Sequence, residues 1–187
     1  VGLDVGTTKT FAVIGQKQRS GTLHIIGMGT APSYGLKGGQ IVDVVLTVKA
    51  IDEAVHAAEN AARLRVSNVI AGIAGGHLQS HSERADIRLS PNENEVTDQH
   101  INAVVRSAAM LSLPDDRDVV AVIPKMFAVD RLRDVPDPRG LVARQLSVDA
   151  HVITGATNAI TNLERCVEQA GLKTQGTVLQ PLASAHA

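Results

Sequence analysis

One segment near the start of the chain, Leu3-Asp4-Val5-Gly6-Thr7-Thr8-Lys9, carries the residue types that phosphate chemistry needs. A glycine followed by two small hydroxyl residues lets a tight turn aim successive backbone N–H groups at an anion. The Thr7 and Thr8 hydroxyls add donors, and Lys9 supplies a positive charge. Asp4 ends an apolar run, where a carboxylate can hold the waters of a hydrated Mg²⁺; that cation takes one or two carboxylates alongside phosphate oxygens. The same residues would also make a plain hairpin with a polar tip, Asp4 then capping the turn. The Gly-x₄-Gly-Lys-[Ser/Thr] spacing of a Walker A loop is absent, and so is the Rossmann glycine pattern. Far along the chain, Gln180-Pro181 follows an apolar run and precedes an alanine-rich helix start. A Gln in that place can orient a water beside a bound phosphate; a Gln before proline is also an ordinary capping residue.

Other chemistries have little to work with. The seven histidines are scattered, and although His77 and His81 could straddle a turn, no carboxylate or cysteine completes a metal set with them. Cys166 and Ser184 have no visible base, which argues against a covalent nucleophile. A lone cysteine excludes an internal disulfide framework and suits a reducing compartment. With 18 Lys+Arg against 19 Asp+Glu the chain lacks the basic footprint of a nucleic-acid binder. Three aromatic residues, Phe11, Tyr34 and Phe127, leave no platform for stacking single strands.

The elements that must position the phosphate loop follow from periodicity. Val1–Asp4 and Thr10–Gly15 read as strands joined by the loop, with a third over Thr22–Thr30. The glycine-rich loop Gly35-Leu36-Lys37-Gly38-Gly39 leads to a helix whose stripe is Val48, Ile51, Val55, Ala58 and Ala62, with Thr47 as its N-cap. Asn68–Ala74 is continuously apolar, as a strand covered on both faces should be. The order β-β-β-α-β predicts a mixed α/β sheet whose first three strands are antiparallel neighbours.

After Gly75-Gly76 the texture changes to charge, proline and polar turns, and His77–Asp149 reads as a small inserted α+β module. Thr97 caps a helix with the stripe Ile101, Val104, Val105, Ala108 and Leu111, and Pro114 marks its exit. Val119–Ile123 and Met126–Val129 are strand-like, with Pro124 interrupting them, and Pro136–Gly140 is a loop. Leu146 to Val152 alternates with Ser147, Asp149 and His151, so that strand has one wet face. The first texture then returns: Val152–Gly155 ends a strand, Ile160, Leu163, Val167 and Ala170 line a helix stopped by Gly171, and Gly176–Gln180 is the next strand. No apolar run reaches the length that crosses a bilayer, and no signal peptide is visible. Opening on Val1 inside an apolar run and closing on a helix start, the chain reads as a piece of a longer one.

Taken together, Leu3–Lys9 resembles the first phosphate loop of the actin/hexokinase/DnaK-type ATPase superfamily. The blocks Val152–Gly155, Ala170-Gly171-Leu172 and Val178-Leu179-Gln180-Pro181 resemble its first connecting motif. Within it, Gly27-Met28-Gly29-Thr30-Ala31-Pro32-Ser33, Gly35–Gly39 and Gly72-Ile73-Ala74-Gly75-Gly76-His77 are similar to the FtsA family of bacterial actin-like cell-division proteins. The resemblance implies an actin-like (ribonuclease H-like) first domain: residues 1–76 and 150–187 as subdomain 1A, and residues 77–149 as an inserted 1C-type subdomain.

That resemblance further implies ATP and Mg²⁺ as cofactors. Asp4, Gly6, Thr7, Thr8 and Lys9 would bind the nucleotide, Asp4 would hold Mg²⁺ through water, and Gln180 would stand nearest the chemistry. It implies a protein that polymerises and tethers the FtsZ ring at the division septum, on the cytoplasmic face of the membrane. Self-association would run through the inserted subdomain. FtsZ, membrane and second-phosphate-loop contacts would belong to a second half outside this chain, and other division proteins would be further partners. The charged edge Asp115-Asp116-Arg117-Asp118 and the loop Asp130–Arg139 would lie in the inserted module. Turnover is left open for the whole protein and is not expected of this chain alone, nor is tight ATP binding. A pilus-assembly protein of FtsA-like fold, and a sugar kinase or chaperone ATPase of the superfamily, are the alternatives.

Overall fold

In the computed structural model, which describes residues 1–92, 94–110 and 113–186, Thr7 and Thr8 form the tip of a hairpin. It folds β1 (Gly2–Val5) back on β2 (Lys9–Lys17) as an antiparallel pair. Strand β3 (Leu23–Pro32) continues in the same sense, with a register shift between Ile14 and Gly15. On the far side of β1, β6 (Asn68–Ile73) and β11 (Lys173–Leu179) add in parallel, and the sheet runs β11-β6-β1-β2-β3. Alternation decides the two faces. Leu3, Val5, Ala12, Ile14, Ala31, Val69 and Ala71 are buried, while Asp4, Lys9, Ile25, Met28 and Ile70 are exposed.

Helix α1 (Val44–Ala62) covers the buried face with Ala50, Ile51, Ala54, Val55 and Ala58. Burying Ile51 and Val55 stabilises by about 1.5–3 kcal/mol each. The alanines meet glycines, so helix and strand touch backbone to backbone. A Cβ on Gly29 would overlap the Ala54 carbonyl and the Ala58 amide, and one on Gly27 would overlap the Ala58 carbonyl. The sequence places Thr47 at the cap; the structure places Asp43 there, its carboxylate accepting the Leu46 N–H at 2.9 Å. Thr47 lies buried inside the helix, its hydroxyl donating to the Asp43 carbonyl at 2.7 Å. Aspartate outranks threonine as a cap, and its charge favours the positive end of the helix dipole. Helix α3 (Thr157–Gln169) packs Leu163, Cys166 and Val167 into the same core, and burial pushes the Cys166 thiol up.

The glycine-rich loop is itself a hairpin, which the sequence reading did not anticipate. β4 (Leu36–Lys37) pairs with β5 (Gln40–Ile41) around Gly38 and Gly39, at φ 59° and 78°. Two left-handed central residues are the two-residue turn that matches strand twist, and only glycine adopts it freely.

Residues Gln79–Gly155 form a second unit; Val1–Leu78 and Ala156–Ala187 form the first. The second holds β7 (Gln79–Arg88), α2 (Asp98–Ala109), β8 (Arg117–Val129), β9 (Leu132–Val135) and β10 (Gln145–Ala156), in the sheet order β7-β10-β8-β9. Its core joins Val104 and Ala108 of α2 to Ala85, Phe127, Leu146, Val148 and Ala150. Thr97 stands at the N-cap of α2 as read from sequence; Leu111 lies outside the described residues. Four readings change. Strand β7 was hidden by its polar residues and β9 lay within the supposed loop. β8 runs unbroken through Pro124, its register shift falling between Phe127 and Val129. The module boundary read at Asp149 would cut β10, which pairs with β7 as far as Thr154 against Gln79.

Candidate functional site

Parallel strands β1, β6 and β11 end at one edge of the first unit's sheet, and that shared edge brings together residues far apart in the chain. Asp4 is level with Gly72 of β6, and Gly72 is level with Val178 of β11. Two residues past Val178, Gln180 opens helix α4 (Gln180–Ala185) with Pro181 behind it. The Gln180 side-chain amide donates a hydrogen bond to Asp4 Oδ1. Carboxyl ends of strands are where open α/β sheets take their ligands.

Each residue of the Asp4–Lys9 segment has a distinct place. The Gly6 N–H donates to the Lys9 carbonyl at 3.1 Å, closing the turn, and a Cβ on Gly6 would stand 2.9 Å from that oxygen. Gly6 therefore supplies room and shape, and the closing bond does not use the amides of Thr7 and Thr8. Both threonines are exposed at the tip. Thr7 Oγ1 accepts the Gly39 N–H at 3.2 Å, and the Thr8 carbonyl accepts the Ser33 N–H at 3.0 Å. With its oxygen accepting the Gly39 N–H, the Thr7 hydroxyl keeps its own hydrogen to donate. Lys9 lies on the same sheet face as Asp4. Partial burial pushes the Asp4 carboxyl above its ordinary range, and the Lys9 charge offsets only part of that rise.

Beyond these polar groups the exposed face is apolar. Val13, Leu23, Ile25, Ile70 and Val178 line a hollow of about 640 Å³ that reaches Asp4 and Gln180. Among the described residues no three His, Cys, Asp or Glu side chains come close enough to hold a metal ion. A cation at Asp4 would therefore rely on one carboxylate, water and the ligand's own oxygens, a donor set that fits hydrated Mg²⁺ and not zinc.

Of the residues singled out by sequence, Asp4, Lys9 and Gln180 share one face, Thr7 and Thr8 form the tip beside them, and Gly6 shapes it. Gly39 and Gly72 were not assigned to the site. The Gly38-Gly39 pair was the available signal for a hairpin, and a glycine inside a strand was the signal for close approach at position 72. In the second unit, Asp115 and Asp116 lie in the turn before β8, while Asp130, in the left-handed region at φ 52°, uses Oδ1 to accept the Arg144 and Gln145 amides.

Residues 75–154 match the model of the SHS2 domain inserted in FtsA. The chain is 35% identical over 185 residues to the cell division protein FtsA of Neisseria meningitidis, covering 99% of this chain and 44% of that protein. It is 35% identical to FtsA of Bacillus subtilis over 187 residues, and 32% identical to FtsA of Escherichia coli over 186; these matches cover 42% and 44% of the two proteins. The chain thus spans less than half the length of these relatives. A solved PilM-PilN type IV pilus biogenesis complex contains a chain of the same fold, with a TM-score of 0.67 at 15% identity, covering 99% of this chain and 48% of that one.

Proposed function

Because the chain belongs to the FtsA family of cell-division proteins, we propose that the Asp4–Gln180 edge is one wall of a Mg²⁺-ATP site. The nucleotide held there would govern assembly during division. The observation that supports this reading is the side-chain bond between Gln180 and Asp4, which joins the two motifs across the sheet beside the Thr7–Thr8 tip. The tip amides and hydroxyls offer donors to phosphate oxygens, and Lys9 neutralises their charge. The chemistry the cation would supply when bound is neutralisation of phosphate charge. Asp4 would hold the cation's water, and Gln180 fixes the carboxylate that does so, as an outer partner fixes a metal ligand. Gln180 would also be placed to orient an attacking water.

At the level of the whole protein, the reading extends to polymerisation, with the inserted unit Gln79–Gly155 as a self-association surface. It also extends to tethering the FtsZ ring at the cytoplasmic face of the septal membrane, through parts of the protein outside this chain. Calorimetric titration of the full-length protein tests the site. Asp4→Ala should weaken binding of Mg²⁺-ATP far more than binding of ATP in a chelator. Equal losses in the two conditions would make Asp4 a turn cap and end the reading.

A further inference from the structure

The geometry points to Gly72 as a positioning residue of this site: the absence of a side chain there lets Gln180 lie across β6 and reach Asp4. The inference rests on the nucleotide reading for its consequence, though not for its geometry. Gly72 sits in the middle strand of three, between the strand that carries Asp4 and the strand that leads to Gln180. A Cβ built on Gly72 would stand 2.9 Å from Gln180 Cγ and 3.3 Å from its Nε2, while its next neighbour, the Leu3 carbonyl, is 3.5 Å away. The conflict is thus confined to Gln180. It falls on Cγ, near the stem of the side chain, so the amide cannot avoid it by turning only its far end.

Nothing else about position 72 calls for glycine. Its backbone is outside the left-handed region, since the glycines with positive φ are at other positions among the described residues. A strand interior ordinarily disfavours glycine, and one that persists there marks a close approach. Here the approaching group is a side chain that carries a functional amide. The methyl of an alanine would occupy the path from Gln180 to Asp4, and the carboxylate would lose the donor that fixes its rotamer.

Four full-length proteins decide the matter: wild type, Gly72→Ala, Gln180→Ala and the double variant, each titrated with ATP in Mg²⁺ and in chelator. Gly72→Ala and Gln180→Ala should each weaken the Mg²⁺-dependent part of the affinity by roughly tenfold, the low end for losing an outer partner of a metal ligand. Affinity in chelator should not move. The double variant should match Gln180→Ala alone, because the methyl then has nothing to displace. A further loss in the double variant would show a merely structural role and overturn the inference, as would an unchanged Gly72→Ala. Wild-type protein that binds ATP equally with and without Mg²⁺ would instead overturn the nucleotide reading. The positioning claim is then decided by the Gln180 side-chain amide proton resonance. It should shift in Gly72→Ala to where it lies in Asp4→Ala, and a resonance that stays put would refute it.

Discussion

Replacing Glu59 by Gln removes one negative charge from the last turn of α1 and keeps the shape. A carboxylate there opposes the negative end of the helix dipole, and its side chain is nearly inaccessible. What holds it is a set of donors from the chain that follows. Oε1 accepts the Val66 N–H at 2.6 Å, and Oε2 accepts Arg65 Nη1 at 2.8 Å. Burial pushes the Glu59 carboxyl up, but the Val66 amide, Arg65 and His56 together outweigh it and hold the group below its ordinary value. These bonds pin the end of α1 to the segment that leads into β6, the strand that carries Gly72 alongside Asp4.

The two bonds are unequal. The Arg65 side chain is 80% exposed, so its ion pair is screened and is worth less than about 1 kcal/mol. The Val66 amide bond is part-buried and charge-assisted, its acceptor side chain nearly inaccessible, and exchanging that acceptor for a neutral one costs about 1–2 kcal/mol. Glu59→Gln should therefore lower the urea midpoint clearly at neutral pH, and Arg65→Ala only slightly. A carboxyl whose folded pKa is depressed contributes stability that is present above its unfolded pKa and lost as pH falls through the folded one. The gap between wild type and Glu59→Gln should accordingly close in acid. Two results would refute the reasoning: an Arg65→Ala penalty as large as that of Glu59→Gln, or a Glu59→Gln penalty that persists in acid.

Gly29→Ala should destabilise the first unit by about 1–3 kcal/mol, because the methyl meets helix backbone that no rotamer change can clear. Gly76→Ala, whose Cβ would meet nothing within 4 Å, is the control, and equal melting points for the two would sink the argument. In the second unit, Asp130→Ala removes two amide acceptor bonds and a residue type tolerant of the left-handed region, for a cost of about 2 kcal/mol. Asp130→Asn should recover most of that in thermal unfolding, and no recovery would mean that the charge itself matters. Charge reversal at Asp115 or Asp116 should change self-association in sedimentation while leaving ATP affinity alone. Lost ATP affinity would instead tie that turn to the nucleotide site.

The sequence was most legible where one period dominates. β1 and β2 alternate cleanly, α1 carries an apolar stripe, and both Asp4 and Gln180 follow apolar runs whose ends mark ligand edges. Their meeting could be anticipated because parallel strands share one such edge. β7 escaped because Ser80, Ser82, Arg84, Asp86 and Arg88 fill its exposed positions, leaving only Ala85 and Ile87 to mark a buried side. Asp43 was passed over for Thr47 because the apolar stripe begins at Val48, and a stripe locates the packed face and not the first turn. Gly72 announced that something comes close but not what, since the approaching residue is more than a hundred positions away. The continuity of β8 through Pro124 depends on which of its neighbours pair with it, information that no local window holds.

The central claim is that the Asp4–Lys9 turn and Gln180 face one Mg²⁺-nucleotide. A crystal structure of the full-length protein with Mg²⁺ and a slowly hydrolysed ATP analogue tests it most directly. The account predicts phosphate oxygens against the Thr7–Thr8 tip and Lys9, with a metal-bound water on Asp4 and the Gln180 amide still beside that carboxylate. Phosphates bound away from this edge, or a cation with no water on Asp4, would contradict it.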